Sequence, residues 1–322
     1  MSLLIRNIYK SYSGVPVIRD LSMEVAQGSI FGFLGPNGAG KTTTMRMILD
    51  IIRPDQGKIT WNDQPVQTID RQFWGYLPEE RGLYPKMTVE DQLLFLARLY
   101  GMQKRKMQQE IDYWLDYFQI SSYRKKQVKE LSKGNQQKVQ FLATILHDPT
   151  VLIMDEPFSG LDPVNADLLK EAFLEIYRKG KTIIFSTHQM QQVEELCHQV
   201  VIINKGQIVL SGDVKQVKHS TGRKVLRLAQ EHDREIRWLD DIPGIQVTKR
   251  RQDYVEMNLQ THIHPDEILA EALRRGGQVT HFELADPSLH DIFIEKVAGI
   301  GMPDALLVNP KVGKGEEGNA VV

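Results

Sequence analysis

An α/β fold built on a parallel sheet is the class this sequence predicts, and three features point to it. A glycine-rich loop, Gly35-Pro36-Asn37-Gly38-Ala39-Gly40-Lys41-Thr42-Thr43, follows the apolar run Ile30-Phe31-Gly32-Phe33-Leu34 and opens a helical stretch from Thr43 to Leu49. Between Val151 and Asn204 short apolar runs alternate with helical periodicity, a pattern that lays helices on the faces of parallel strands. The chain has 322 residues, more than one domain usually holds, so a large domain with a small one appended is expected.

Each element has its own signal. Residues 3–8 and 17–25 alternate apolar and polar positions as short strands do, and Ile59-Thr60-Trp61 follows the turn residues Arg53-Pro54-Asp55-Gln56-Gly57, giving a β-rich opening. Apolar residues at helical spacing from Val89 to Tyr100 and from Met107 to Phe118 predict a helical insert before the strand Val151-Leu152-Ile153-Met154. Helix Ala166–Arg178, strand Thr182–Ser186, helix Gln189–Leu196 and strand Val200–Asn204 complete the alternation. After Gly212 a β-α-β pattern runs through Val225–Leu228, Gln246–Leu259, Pro265–Arg275 and Val279–Leu284. The expected divisions are a main domain at 1–215, a small α+β domain at 222–298, and a flexible tail at 299–322 whose glycine, proline and small residues predict mobility.

Composition narrows the function classes. Charged residues make up 25% and apolar ones 41%, ordinary for a globular chain, and the net charge of −1 predicts no general attraction to nucleic acid. The basic run Arg124-Lys125-Lys126-Gln127-Val128-Lys129 reads as a solvated helix end or loop. Cys197 stands alone inside a helical-looking segment, Gln189–Val200, so no intrachain disulfide is possible and a reducing compartment fits. The first residues lack a long apolar core, and no uninterrupted apolar stretch reaches about 18 residues, so the expectation is no direct membrane insertion.

The loop carries the chemistry. It fits G-x-x-x-x-G-K-[ST], whose backbone N–H groups wrap nucleotide phosphates. Glycines allow close approach, the helix N-terminus favours negative charge, Lys41 supplies a point charge, and the Thr42 hydroxyl suits Mg²⁺. ATP or GTP is therefore the expected ligand. The apolar strand at 151–154 ends in Asp155-Glu156. A pair of acids after a strand is ordinarily a helix cap. Beside a phosphate loop, Asp155 is placed to hold Mg²⁺ and Glu156 to activate a water aimed at the γ-phosphate.

The segment Leu131-Ser132-Lys133-Gly134-Asn135-Gln136-Gln137-Lys138 is similar to the LSGGQ signature, and over residues 3–215 the chain resembles the ATP-binding cassette (ABC) family. The resemblance implies that Ser132 and Gly134 contact the γ-phosphate of ATP held by a second subunit, so that each active site forms between two chains of a homodimer. A serine and a glycine at a helix N-terminus do make an anion site. It further implies that Ser159-Gly160-Leu161-Asp162 is the D-loop, with Asp162 near the nucleotide, that His188 of Ser186-Thr187-His188 is the switch histidine, and that Tyr12, with Tyr9 nearby, stacks on adenine. Where the family commonly has glutamine, the stretch Gly75-Tyr76-Leu77-Pro78-Glu79-Glu80-Arg81-Gly82-Leu83-Tyr84 puts Glu79, a charged Mg²⁺ ligand in place of a neutral one. Lys133 and Asn135 also depart from the signature. The Glu-Glu-Arg-Gly-Leu-Tyr variant and residues 284–293, Leu-Ala-Asp-Pro-Ser-Leu-His-Asp-Ile-Phe, resemble the sodium-extrusion (Nat-type) branch of ABC exporters.

What the resemblance implies is an ATP-hydrolysing subunit, working with ATP and Mg²⁺, cytoplasmic and held at the inner membrane face by a membrane-spanning permease whose coupling helix rests on Glu79–Met87. The rival within the family is a mechanical ATPase acting on ribosomes or DNA, but such proteins commonly carry two cassettes or a long coiled-coil insert. A GTPase switch needs N-K-x-D, and Asn204-Lys205-Gly206-Gln207 puts glutamine where the aspartate must stand. The C-terminal region offers no constellation that assigns it a regulatory task. His262, His264, His281 and His290 lack metal-ligand spacing and read as surface or core residues.

Overall fold

A computed structural model describes residues 1–80, 82–231, 233, 235–259, 263–276 and 278–298. The expected tail from Gly299 and the histidine His262 lie outside the described residues. The chain divides into two compact units, one running from Met1 to Val214 and the other beginning at Lys215.

The first unit opens with β1 (Ser2–Tyr12) and β2 (Val15–Ala26), paired antiparallel from Ser2↔Ala26 to Tyr12↔Val15. Ser13 and Gly14, at φ +49° and +82°, make the two-residue turn whose left-handed backbone suits the strand twist. β3 (Ile30–Leu34) is buried at every position, as a continuous apolar run in a parallel sheet must be. Then come α1 (Lys41–Ile48), β4 (Gln56–Trp61), the short β5 (Gln64–Pro65) and β6 (Trp74–Leu77). The helical insert holds α2 (Val89–Leu99) and α3 (Lys104–Tyr117), with α4 (Lys133–Ile145) after it. Thr88 caps α2 by accepting from the Asp91 N–H, and Ser132 caps α4 by accepting from the Asn135 N–H. The alternation is completed by β7 (Val151–Asp155), α5 (Pro163–Arg178), β8 (Thr182–Thr187), α6 (Met190–Leu196), β9 (Gln199–Asn204) and β10 (Gln207–Asp213).

Among the described residues these strands form an antiparallel sheet, order β2-β1-β4-β5, and a six-stranded sheet, order β10-β9-β3-β8-β7-β6. In the second sheet β6, β7, β8, β3 and β9 run parallel and β10 returns antiparallel along β9. The register aligns Leu34 with Thr187 and Asp155 with Ser186. The carboxyl ends of β3, β7 and β8 are thereby side by side, the place where an open α/β sheet receives ligands. Beneath them Phe118, Phe141, Phe158, Phe173 and Phe185 stack in a chain of ring contacts 5.2–5.8 Å apart. The predicted α/β class holds.

Some local expectations needed correction. The helix ends at Leu196, the bound expected for it, so that within the longer helical-looking segment to Val200 Cys197 is already extended, and burial pushes its thiol up. β10 is not among the expected strands; its apolar run, Ile208-Val209-Leu210, follows the left-handed turn at Lys205 and Gly206. The basic run at 124–129 is a loop, as expected, with Arg124 paired to Glu90 and Asp112 and Lys125 to Glu90.

The second unit carries α7 (Val214–His219), which begins at the boundary, then β11 (Lys224–Gln230), β12 (Ile245–Arg250), β13 (Val255–Leu259), α8 (Pro265–Arg274), β14 (Val279–Ala285) and α9 (Leu289–Ala298). The stretch expected as one segment from Gln246 to Leu259 is a hairpin, turned where the Arg251 N–H donates to the Tyr254 carbonyl. Its sheet has the order β12-β13-β11-β14, and Leu226, Leu228, Val255 and Met257 pack against Ile268 and Ala272 of α8. Residues 284–293, singled out by resemblance, prove to be a helix start: Ser288 and Asp291 bond each other's side chain and backbone at the head of α9, while Asp286 pairs with Lys224.

Candidate active site

A cavity of about 590 Å³ lies at the carboxyl end of the parallel sheet, lined by Tyr12, Val17, Asn37, Gly38, Gly40, Lys41, Thr42, Thr43, Glu79, Asp155 and Glu156. The loop from Gly35 to Gly40 forms its floor because its glycines permit what other residues would not. Gly40 has φ +108°, and a Cβ there would stand 2.4 Å from Ile18 Cδ1. The Ala39 N–H closes a turn onto the Pro36 carbonyl, and the Ala39 carbonyl accepts from Gly206. The free N–H groups at the start of α1 face the same space, an anion site by construction.

Charge is concentrated on one side of this cavity. The Lys41 ammonium is buried, donates to the carbonyls of Gly35 at 2.8 Å and Pro36 at 3.3 Å, and lies 3.7 Å from Glu156 Oε1. Thr42 Oγ1 donates to Asp155 Oδ2 at 2.5 Å. His188 Nδ1 is 3.0 Å from Glu156 Oε1, with the imidazole 54% exposed and so reachable from outside. Both acidic residues are held from β8, Asp155 by its carboxylate and Glu156 by its backbone: the Ser186 hydroxyl donates to Asp155 Oδ1, and the Glu156 N–H reaches the Ser186 carbonyl at 3.2 Å and its Oγ at 3.1 Å. Glu156 itself has φ +49°, a left-handed backbone that turns the chain sharply at the strand end. Thr187 fixes the next residue, accepting from the Gln189 N–H and donating to Gln192 Oε1.

The structure brings together most, and not all, of the residues singled out in the sequence. Tyr12, 47% exposed at the end of β1, lines the cavity, whereas Tyr9 does not and its phenol is pushed up by burial and by neighbouring Asp20. Glu79 lines it from the loop after β6. Gly35, Pro36 and Ala39 form the backbone behind the lining, and Lys41 bonds two of their carbonyls. Ser132, Gly134 and Asp162 are not in the lining. Ser132 is the exposed cap of α4, and Asp162 caps α5, where the backbone N–H and side-chain amide of Asn165 hold its carboxyl below the usual carboxylate range. A Cβ on Gly134 would meet Leu161 at 3.7 Å, so the segments Leu131–Lys138 and Ser159–Asp162 are neighbours. Ser186 was missed as a positioning residue; its signal was the alignment with Asp155, which no linear motif expresses.

Oxygen donors of Thr42, Asp155 and Glu79 facing one cavity are the set a hard cation such as Mg²⁺ selects, so these residues fit that ion. Among the described residues no His/Cys/Asp/Glu cluster forms a separate metal site, and no helix is long and apolar enough to cross a membrane.

Comparison with known proteins gives this geometry a family. The ABC transporter family matches residues 18–159, and the C-terminal domain of DrrA1-3-like ATP-binding proteins matches residues 212–297. The uncharacterized ABC transporter ATP-binding protein YhaQ of Bacillus subtilis is 46% identical over 298 residues, 92% of this chain and 99% of YhaQ. The ABC transporter ATP-binding protein NatA of Bacillus subtilis is 34% identical over 64% of this chain and 85% of its own length. A solved ATP binding subunit of an ABC transporter superposes with a TM-score of 0.65 at 29% identity, covering 69% of this chain and 94% of that one. With the phosphate loop and the acidic strand end on one cavity, His188 bonded to Glu156 beside it, and a relative matched along nearly its whole length, the chain belongs to the ABC transporter ATP-binding proteins, which hydrolyse ATP.

Proposed function

We propose that this protein is the energising subunit of an exporter of the Nat-type branch, with sodium or a drug or antibiotic as cargo, and that two copies close head to tail over two ATP and two Mg²⁺. The observation that carries the reading is the division of the site. Lys41, Thr42, Asp155 and Glu156 line one cavity while the exposed Ser132 and the half-buried Gly134 stand elsewhere on the unit, which leaves the γ-phosphate end to a second copy. Kinship with NatA supports the Nat-type branch, and the resemblance of the Glu-Glu-Arg-Gly-Leu-Tyr stretch to the sodium-extrusion branch makes sodium the first cargo to test.

In this reading the loop and the head of α1 hold the phosphates, and Lys41 exchanges its bonds to Gly35 and Pro36 for phosphate oxygens. Tyr12 stacks on adenine. Glu156 takes the proton of the attacking water, with His188 fixing the carboxylate and reaching the γ-phosphate. Asp162 borders the nucleotide once the dimer closes. Thr42, Asp155 and Glu79 hold Mg²⁺, which when bound neutralises charge developing on the phosphates. A membrane-spanning permease docks on the segment Glu79–Met87. Next to it Tyr84 and Phe95 make an edge-to-face pair at 5.9 Å while both remain exposed, as does Leu99, an apolar patch of the kind that binds partners. The chain then works at the inner membrane face, and the second unit is an accessory domain.

Glu156→Gln tests the reading. It keeps ATP binding, abolishes most hydrolysis, and accumulates an ATP-bound dimer visible by size-exclusion chromatography. Full hydrolysis by this variant would refute the role of Glu156. A mutant that stays monomeric with saturating ATP and Mg²⁺ would count against the head-to-tail site.

A further inference from the structure

Helix α4 reaches into the active-site loops through side-chain amides. Gln137 Nε2 donates at 2.9 Å to the carbonyl of Pro157, the residue after Glu156. Gln140 sits one turn on and is 4% exposed; its Nε2 donates to the carbonyls of Pro78 at 3.0 Å and Glu80 at 3.3 Å. Those two carbonyls stand on either side of Glu79. One turn further, Thr144 Oγ1 lies 3.3 Å from the Tyr76 carbonyl, so a single stripe of α4 follows alternate carbonyls of the extended chain leaving β6.

The need for this grip is written in the backbone. Pro78 has no N–H, and β6 ends at Leu77, so the chain departs from the sheet there without a ladder to hold it. Both neighbours of the Gln140 amide are acceptors, which fixes its nitrogen towards them. Gln140 Oε1 is buried without a partner. A buried amide that leaves its oxygen unsatisfied is kept for what its nitrogen does.

We infer that Gln140 is the positioning residue for Glu79: it fixes the backbone on both sides of that carboxylate, presents it to the cavity, and ties it to the helix whose first turn carries Ser132 and Gly134. The inference rests on the reading of Glu79 as an Mg²⁺ ligand given under Proposed function. A packing role alone would make Gln140 matter for stability and leave the metal site untouched.

The experiment measures binding in place of turnover. In full-length protein carrying Glu156→Gln, the affinity for a fluorescent ATP analogue is taken with and without Mg²⁺, and the ratio is the magnesium gain. Glu79→Ala and Gln140→Met, the second matched in volume and lacking donors, each lower that gain about fivefold to tenfold, and the double variant lowers it no further than Glu79→Ala. If Gln140→Met shifts the melting temperature and leaves the gain intact, or if the two losses multiply, the inference is overturned while the reading of Glu79 stands. If Glu79→Ala leaves the gain unchanged, the metal role of Glu79 falls and the inference with it. Should Gln140→Met fail to fold, Gln140→Asn keeps the amide and draws it back by one methylene from the carbonyls of Pro78 and Glu80, and the gain falls in the same way. A gain equal to that of the parent in folded Gln140→Asn protein overturns the inference.

Discussion

Glu156 in the first unit and Glu256 in the second are both buried carboxylates, the one between a lysine and a histidine and the other between an arginine and a lysine, yet their surroundings differ in kind. Glu156 has Lys41 at 3.7 Å and His188 at 3.0 Å, and beyond them an open cavity. Glu256 has Arg227 at 3.0 Å and Lys249 at 3.3 Å, and each of those is answered again, Arg227 by Glu283 at 3.0 Å and Lys249 by Asp291 at 2.8 Å. Asp291 in turn caps α9 with Ser288. The second network closes on itself and braces β11, β12, β13, β14 and α9. The first opens onto the cavity that Lys41, Thr42 and Asp155 also line. Buried charge alone does not mark a functional site; charge that faces a cavity with its partners only on one side does.

The same conservative change at the two carboxylates breaks the comparison most sharply. Glu156→Gln lowers ATP hydrolysis by about 10²–10⁴, the range for removing a general base, with little change in thermal stability. Glu256→Gln leaves hydrolysis near the parent value and costs about 2 kcal/mol of stability, kept to that size because Arg227 and Lys249 are partly solvated. Steady-state ATPase rates and urea unfolding of both variants decide it, and a large catalytic loss at Glu256 would overturn the assignment of that network to scaffolding.

Ser186→Ala removes the hydroxyl that holds Asp155 and meets the Glu156 N–H. About a tenfold fall in kcat with nearly unchanged KM for ATP is expected, since the phosphate loop is untouched; tenfold corresponds to about 1.4 kcal/mol of barrier. A rise in KM alone would place Ser186 in nucleotide binding instead.

A smaller effect is expected at the aromatic rings. Tyr12→Ala weakens ATP about fivefold, the lower end for losing a base stack, because the ring is half exposed. Tyr254 in the second unit is also flanked by charge, with Arg227 at 5.4 Å and Arg251 at 5.7 Å from its ring, and stacks on His281. Tyr254→Ala leaves nucleotide affinity as it was. Equilibrium binding of ATP to the two variants separates a ring that meets ligand from one that meets only its own unit.

How much of this was legible in the sequence follows from how local each feature is. The phosphate loop, the acidic strand end and the histidine after β8 are contiguous motifs, and each is legible on its own in the sequence. Ser186 and Gln140 act across strands and between a helix and a loop, through alignments set by folding, and no linear pattern announces them. The antiparallel return of β10 along β9 and the box that Ser288 and Asp291 close at the head of α9 likewise depend on contacts that form only on folding.

The last expected effect is a pH dependence with its source in the first unit. His147 stacks on Tyr100 at 3.7 Å and 4°, places Nε2 3.1 Å from the Trp74 carbonyl, and keeps Nδ1 buried with no partner. An Nε2–H donated to that carbonyl leaves Nδ1 without a proton, the neutral tautomer. Burial lowers its pKa from 6.5, outweighing the carbonyl bond and Asp148, which act the other way. The folded chain then binds fewer protons at this site than the unfolded chain once the pH drops below about 6.5, so this contribution is present above that value and fades as the pH falls from it towards the lower folded pKa. One group can steepen the dependence by at most about 1.4 kcal/mol per pH unit. Urea unfolding of the parent between pH 7.5 and 5.5 therefore shows stability falling with acid, and His147→Phe, which keeps the stack and cannot titrate, shows a flatter profile. Equal slopes would mean that the ring is already open to protons in the folded chain and that the strand end at Trp74 is not sealed by it.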